Sequence, residues 1–199
     1  MRYSLFDTPV VTPLLRLVSN LYLWVMGWHK VGALPADPRC VVVAAPHTSS
    51  WDFPLMLACV FSYRAKASWM GKKSMFVWPI SQVLKWLGGI PIDRGRTTNA
   101  VGQAARVITE SDRMLMFLSA EGTRGRTSKW KTGFYHIALK ARVPIVLSFA
   151  DYGRRRVGFG PSFVPTGDIE NDMKLLAEFY RDMIPKYPEK FTVPDVSQP

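Results

Sequence analysis

The sequence predicts an α/β fold: a single domain with a largely parallel central sheet flanked by helices, preceded by an apolar N-terminal helical segment. Three observations carry this. Short β-rich apolar runs at 40–45, 65–70, 90–92, 114–118 and 143–149 alternate with stretches of helical spacing, the pattern of strands joined by crossover helices. Most of these runs open onto Pro, Gly or polar residues, as buried strands do where they meet loops. The 199 residues are 48% hydrophobic and 13% aromatic, enough for one sizeable core and too apolar for a disordered chain.

Residues 1–35 form the N-terminal segment and 36–190 the main domain. Val10 to Val31 is mostly apolar, but Arg16, Asn20 and His29 interrupt it and no small-residue cleavage site follows, which argues against a signal peptide. A spanning helix needs about twenty predominantly apolar residues. This segment reads instead as a helix that lies in or dips into one leaflet, anchored by Tyr22, Trp24 and Trp28. The alternative is a helix packed on the protein's own core.

Cys40 to Ala45 is the first strand of the domain, and Phe53 to Tyr63 is helical. Pro54 has no N–H to donate, so it belongs in the first turn and the helix must begin close to Asp52. Ala65 to Met70 is a strand, Trp78 to Trp86 a short helix closed by Gly88-Gly89, and Ile90 to Ile92 a short strand. Thr97 or Thr98 can cap a helix that carries Ala100, Ala104, Val107 and Ile108 at helical spacing. Met114 to Leu118 is a strand, Gly133 to Arg142 a helix, and Val143 to Phe149 a strand. Arg154 to Val164, rich in Gly and Arg, suggests a hairpin. Ile169 to Tyr187 is the last helix, and the tail from Pro188 has little to bury.

Three strand-to-loop transitions carry polar chemistry: His47 with Asp52, Asp93 with Arg94, and Glu121 with Arg124. Ligands of open α/β sheets gather at the carboxyl ends of strands, so the three clusters belong to one cleft. An imidazole titrates near neutrality, and a carboxylate in reach fixes its tautomer, which makes His47 and Asp52 candidates for a general base and its support. Residues five apart in one continuous helix sit about 140° apart around the axis. The pair can meet only because the helix starts late and His47 stays on the loop before it. Glu121-Gly122-Thr123-Arg124 has the composition of a phosphate site: a glycine that permits close approach, a hydroxyl, and a guanidinium that forks onto phosphate oxygens. Arg126, Lys129 and Lys131 add positive potential beside it.

The balance of 26 basic and 15 acidic residues, a formal charge of +11, points to an anionic partner. Nucleic acid is disfavoured, because the basic residues cluster after strands beside a candidate base instead of along one helix or among exposed aromatics. Cys40 and Cys59 sit in apolar surroundings and read as reduced core thiols in a reducing compartment. No G-x-S-x-G elbow, P-loop or dinucleotide glycine fingerprint occurs, and no histidine pair has metal-ligand spacing. His29 and His136 read as surface or structural residues.

Taken in order, four blocks resemble the glycerolipid acyltransferase family: His47 to Asp52 (His-x4-Asp), Gly89 to Arg94, Glu121 to Arg124, and Val143-Pro144-Ile145-Val146. They cover roughly residues 40–150, about half the chain. Pro46 stands where the family usually has Asn, and Ala120 and Gly125 flank the third block where Pro and Ser are common. The resemblance implies that 36–190 is an acyltransferase domain moving a fatty acyl group from acyl-CoA or acyl carrier protein to a lysophospholipid hydroxyl, foremost that of lysophosphatidic acid. It needs no cofactor or metal beyond that thioester. His47 and Asp52 would be catalytic; Arg94 and Arg124 would clamp the acceptor's phosphate, with Gly122 and Thr123 beside them. Glu121 would position the glycerol hydroxyls or brace an arginine. A groove walled by the first helix with Trp69, Trp78 and Trp86 would take the fatty chain. The enzyme would sit on anionic lipid at the cytoplasmic face of a bacterial inner membrane, peripheral or monotopic. The departures leave open an acceptor without phosphate, such as an amino-acid lysolipid, or an inactive lipid-binding relative.

Overall fold

The computed structural model describes residues 4–93, 97–127 and 129–194. A seven-stranded sheet runs through the middle. Its strands are β1 (His29–Val31), β2 (Arg39–Ala44), β3 (Ala67–Lys72), β4 (Gly89–Ile92), β5 (Met114–Ser119), β6 (Ile145–Asp151) and β7 (Arg156–Phe163), in the order β1-β7-β6-β2-β5-β3-β4. β2 to β6 are mutually parallel; β7 runs antiparallel to β6, and β1 pairs parallel with β7. The helices are α1 (Val11–Val25), α2 (Asp52–Ser62), α3 (Ile80–Trp86), α4 (Thr97–Thr109), α5 (Gly133–Ala141) and α6 (Ile169–Tyr180).

β2 lies between β5 and β6, and Cys40 to Val43 have no solvent exposure. Successive side chains of a strand point to opposite faces, so a strand covered on both sides reads as one apolar run. Val41 and Val43 join Met116, Ile145 and Leu147 under α4, α5 and α6. Cys40 and Val42 join Leu115, Phe117 and Val146 under α1 and α2. Burying each such side chain contributes about 1.5–3 kcal/mol. Cys40 and Cys59 are both buried free thiols, as expected, and burial pushes each up to about 12.

Several expectations are corrected. The Arg154–Val164 stretch is not a hairpin by itself; its strand β7 is the second arm of a hairpin whose first arm is β6. α6 stops at Tyr180 instead of reaching Tyr187, because Pro185 cannot continue a helix and disfavours helical geometry in the residue before it. The freed segment pairs elsewhere: the Ile184 carbonyl accepts from the Tyr152 N–H at 2.8 Å. The tail does bury something, since Phe191 packs on Trp130 with ring centroids 6.4 Å apart. β1, inside the N-terminal segment, has no counterpart in the sequence reading and ties that segment to the sheet. α1 packs against α2 through Leu23 and neighbours while Leu17, Leu21 and Trp24 face outward. Among the described residues, no helix is long and apolar enough to cross a membrane. Of the aromatics in this segment, Trp24 is exposed, while Trp28 is half-buried with its ring edge-on to Tyr152 at 5.0 Å.

Candidate active site

Parallel strands end on the same side, so the carboxyl ends of β2, β4, β5 and β6 share one edge of the sheet. The loop after β2 carries His47, and α2 begins at Asp52 with Pro54 in its first turn, where its missing N–H costs nothing. The His47 Nδ1 lies 3.4 Å from the Asp52 Oδ2, leaving Nε2 on the far side of the ring. The same Oδ2 accepts backbone N–H bonds from Thr48 at 2.9 Å and Ser49 at 2.8 Å. The other oxygen, Oδ1, accepts from the Tyr152 hydroxyl at 2.8 Å. Burial alone would raise the Asp52 pKa, but the bonds from His47, the Ser49 N–H and Tyr152 outweigh it and hold the carboxyl below its ordinary value. Its place in the first turn of α2 favours the anion as well. The Tyr152 hydroxyl is raised by burial and by the Asp52 charge, so it stays a donor.

Glu121 follows β5 and is only 4% exposed. Among the described residues it braces no arginine. Its Oε2 accepts from the His47 N–H at 2.8 Å, and its Oε1 has no hydrogen-bond partner among the described residues. Burial pushes this carboxyl up to about 7, with the His47 N–H pulling the other way. The same backbone that carries the imidazole is thus held from the β5 side. Gly122 has φ +66, and a Cβ there would stand 2.7 Å from the Lys131 stem, so what approaches this glycine closely is Lys131. The Thr123 hydroxyl accepts from the Gly125 N–H at 3.1 Å. The Arg124 guanidinium donates to the Ser50 hydroxyl, joining the loop after β5 to the loop after β2. Arg126 turns away toward Thr192. The other expected clamp, Arg94, lies outside the described residues.

Two cavities meet at His47. One of about 340 Å³ lies on the α2 face and is walled by Phe53, Met56, Val60, Phe117 and Phe159. The other, of about 740 Å³, lies on the opposite face against Val101, Phe134 and Ile137, and has Thr123, Arg124 and Lys131 in its wall. His47, Trp69 and Ser119 border both. Of the three tryptophans expected beside the apolar groove, only Trp69 lines it. Trp86 donates to the Thr8 hydroxyl beneath α1, and Trp78 is 84% exposed. Among the described residues, no three His, Cys, Asp or Glu side chains stand close enough to hold a metal ion.

Sequence reasoning missed Tyr152, which lies 100 residues from Asp52. Its signal was available: a polar aromatic directly after a buried strand, at the same edge as the other clusters.

An imidazole backed by a buried carboxylate, set between an apolar and a basic cavity at the strand ends of a mostly parallel sheet, defines a class of α/β proteins with a candidate general base. The family model described as Acyltransferase matches residues 28–147, more than half of the chain, and the chain belongs to that family. It is 34% identical over 123 residues to a 1-acyl-sn-glycerol-3-phosphate acyltransferase of Haemophilus influenzae, covering 57% of this chain and 50% of that one. It is 39% identical over 83 residues to the Escherichia coli protein of the same name, covering 39% of this chain and 34% of that one. The chain therefore spans half or less of the length of these two relatives. The crystal structure of the 1-acyl-sn-glycerophosphate (LPA) acyltransferase PlsC of Thermotoga maritima has the same fold, with a TM-score of 0.58 at 18% identity, covering 86% of this chain and 77% of that one.

Proposed function

We propose that this protein transfers a fatty acyl group from a thioester, acyl-CoA or acyl carrier protein, to the free hydroxyl of a lysophospholipid, foremost lysophosphatidic acid. The observation that carries the reading is His47 at the border of an apolar cavity suited to a fatty chain and a larger one with Arg124 and Lys131 in its wall. The name shared by the Haemophilus and Escherichia relatives supports the choice of acceptor.

The acceptor oxygen attacks the thioester carbon while the His47 Nε2 takes its proton, and Asp52 stabilises the imidazolium. The tetrahedral adduct then expels the thiolate, which recovers the proton from His47. The substrate supplies the nucleophile, so no acyl-enzyme is needed. Holding the hydroxyl beside the base supplies a large share of the acceleration. Arg124 is the phosphate ligand, and anionic lipid, lysophosphatidic acid and acyl carrier protein all suit the +11 charge. The protein would act from the cytoplasmic face of the membrane, bound peripherally.

Purified protein incubated with labelled acyl-CoA or acyl carrier protein and a panel of lysolipids should acylate lysophosphatidic acid. His47→Ala should lower the rate at least about 10²-fold, the low end for losing a general base. Arg124→Ala should weaken phosphate-bearing acceptors selectively. Undiminished transfer by His47→Ala would sink the mechanism.

A further inference from the structure

Trp78 does not wall the groove, and its exposure joins it to a wider surface. Met75, Val77 and Trp78 follow the carboxyl end of β3, at the edge of the sheet that carries His47. Trp51 and Phe53 stand on the loop after β2 and the first turn of α2, at the same edge. Trp24 lies near the end of α1, which is held to the β6–β7 turn by the Trp28–Tyr152 contact and by an Arg155 Nη1 bond to the Met26 carbonyl at 2.6 Å. All six side chains are exposed, between 46% and 84%. Single exposed apolar residues need no explanation, but large ones from separate elements converging on one edge mark a surface that binds something.

We propose that this edge is a bilayer-docking surface, with Val77 and Trp78 as the residues that enter the leaflet. Cations accompany the apolar side chains. Lys72 and Lys73 stand just before Met75, separated from it by Ser74, and the Lys186 ammonium lies 5.0 Å from the Trp51 ring centroid. Lysines beside tryptophans match the boundary between anionic headgroups and acyl chains. Docking by this edge, and not by α1 alone, turns the mouth of the His47 site onto the lipid. The proposed function enters only as the reason a mouth should face lipid, and the docking is read without turnover.

The test is sedimentation of the full chain with sucrose-loaded vesicles of phosphatidylcholine containing about one-third phosphatidylglycerol, the lysines being drawn to the anionic lipid. Val77→Glu and Trp78→Glu, with α1 untouched, should each lower the vesicle-bound fraction constant by about tenfold or more. Wild-type binding should weaken as salt is raised. Far-UV circular dichroism melting should match wild type, since both side chains are more than half exposed and neither lines the two cavities at His47. Leu17→Glu in α1 serves as the comparison. If both edge variants bind vesicles as wild type does while Leu17→Glu does not, α1 alone docks and the idea fails. If the edge variants keep vesicle binding but lose binding to acyl carrier protein, the surface belongs to a protein partner and the idea fails too. Vesicle binding by a protein that acylates no lysolipid would refute the proposed function and leave the docking surface standing.

Discussion

Tyr152→Phe isolates one bond. The phenylalanine ring keeps the edge-on contact with Trp28, while the 2.8 Å bond to the Asp52 Oδ1 is lost. Oδ2 retains Thr48, Ser49 and His47. A hydrogen bond to a charged acceptor contributes about 1.5–3 kcal/mol, so the variant should lose that much stability at pH 7. The sign of its pH dependence follows from Asp52. Its folded pKa is depressed, so the stability it contributes is present above the unfolded value of about 3.9 and is lost as pH falls through the folded one. Part of that depression comes from Tyr152, so the deficit should be largest near neutrality and shrink below about pH 4. Urea unfolding followed by far-UV circular dichroism at pH 7 and pH 3 measures both values. Under the proposed reaction, the variant should lose kcat with little change in KM, because Tyr152 acts through Asp52 and lines neither of the two cavities at His47. A deficit of equal size at the two pH values would show that the tyrosine acts by packing, and would refute the assignment.

Two further outcomes are expected. Glu121 has a folded pKa raised to about 7, so its stabilising contribution is full below its ordinary value and fades as pH rises through about 7. Glu121→Gln should therefore gain on wild type in urea unfolding between pH 5 and pH 8, and a constant difference across that range would contradict the raised pKa. Gly32 has φ +81, and a Cβ there would sit 1.8 Å from the Phe159 carbonyl oxygen, where β1 meets β7. Gly32→Ala should cost at least about 1–3 kcal/mol from backbone strain alone, seen as a lowered Tm; an unchanged Tm would show that β1 is not held at this position.

The central strands were legible because Cys40–Val43 and Met114–Leu118 are apolar on both faces, which leaves no ambiguity of period. The His47–Asp52 geometry was legible because Pro54 must lie in the first turn of α2, which puts the start of the helix close to Asp52. β1 was not: three exposed residues, His29 to Val31, carry no pattern and owe their strand geometry to pairing with β7. The bond from the His47 N–H to Glu121 was not legible, because the two lie 74 residues apart and only the turn after β5 buries the carboxyl beside the β2 loop while leaving Arg124 exposed. Bonds between distant segments, such as Tyr152 to Asp52 and Tyr187 to Thr48, leave no local trace.

The two cavities lie on opposite faces of one sheet and share a border made by His47, Trp69, Met70, Phe117, Leu118 and Ser119. Under the proposed reaction, donor and acceptor occupy separate chambers that meet at His47, so both are held on the enzyme together when the acyl group moves. A compound filling only the α2 end of the apolar chamber, against Phe53, Met56 and Val60, would leave the basic one open, and blocking one substrate there would not amount to competing with the other.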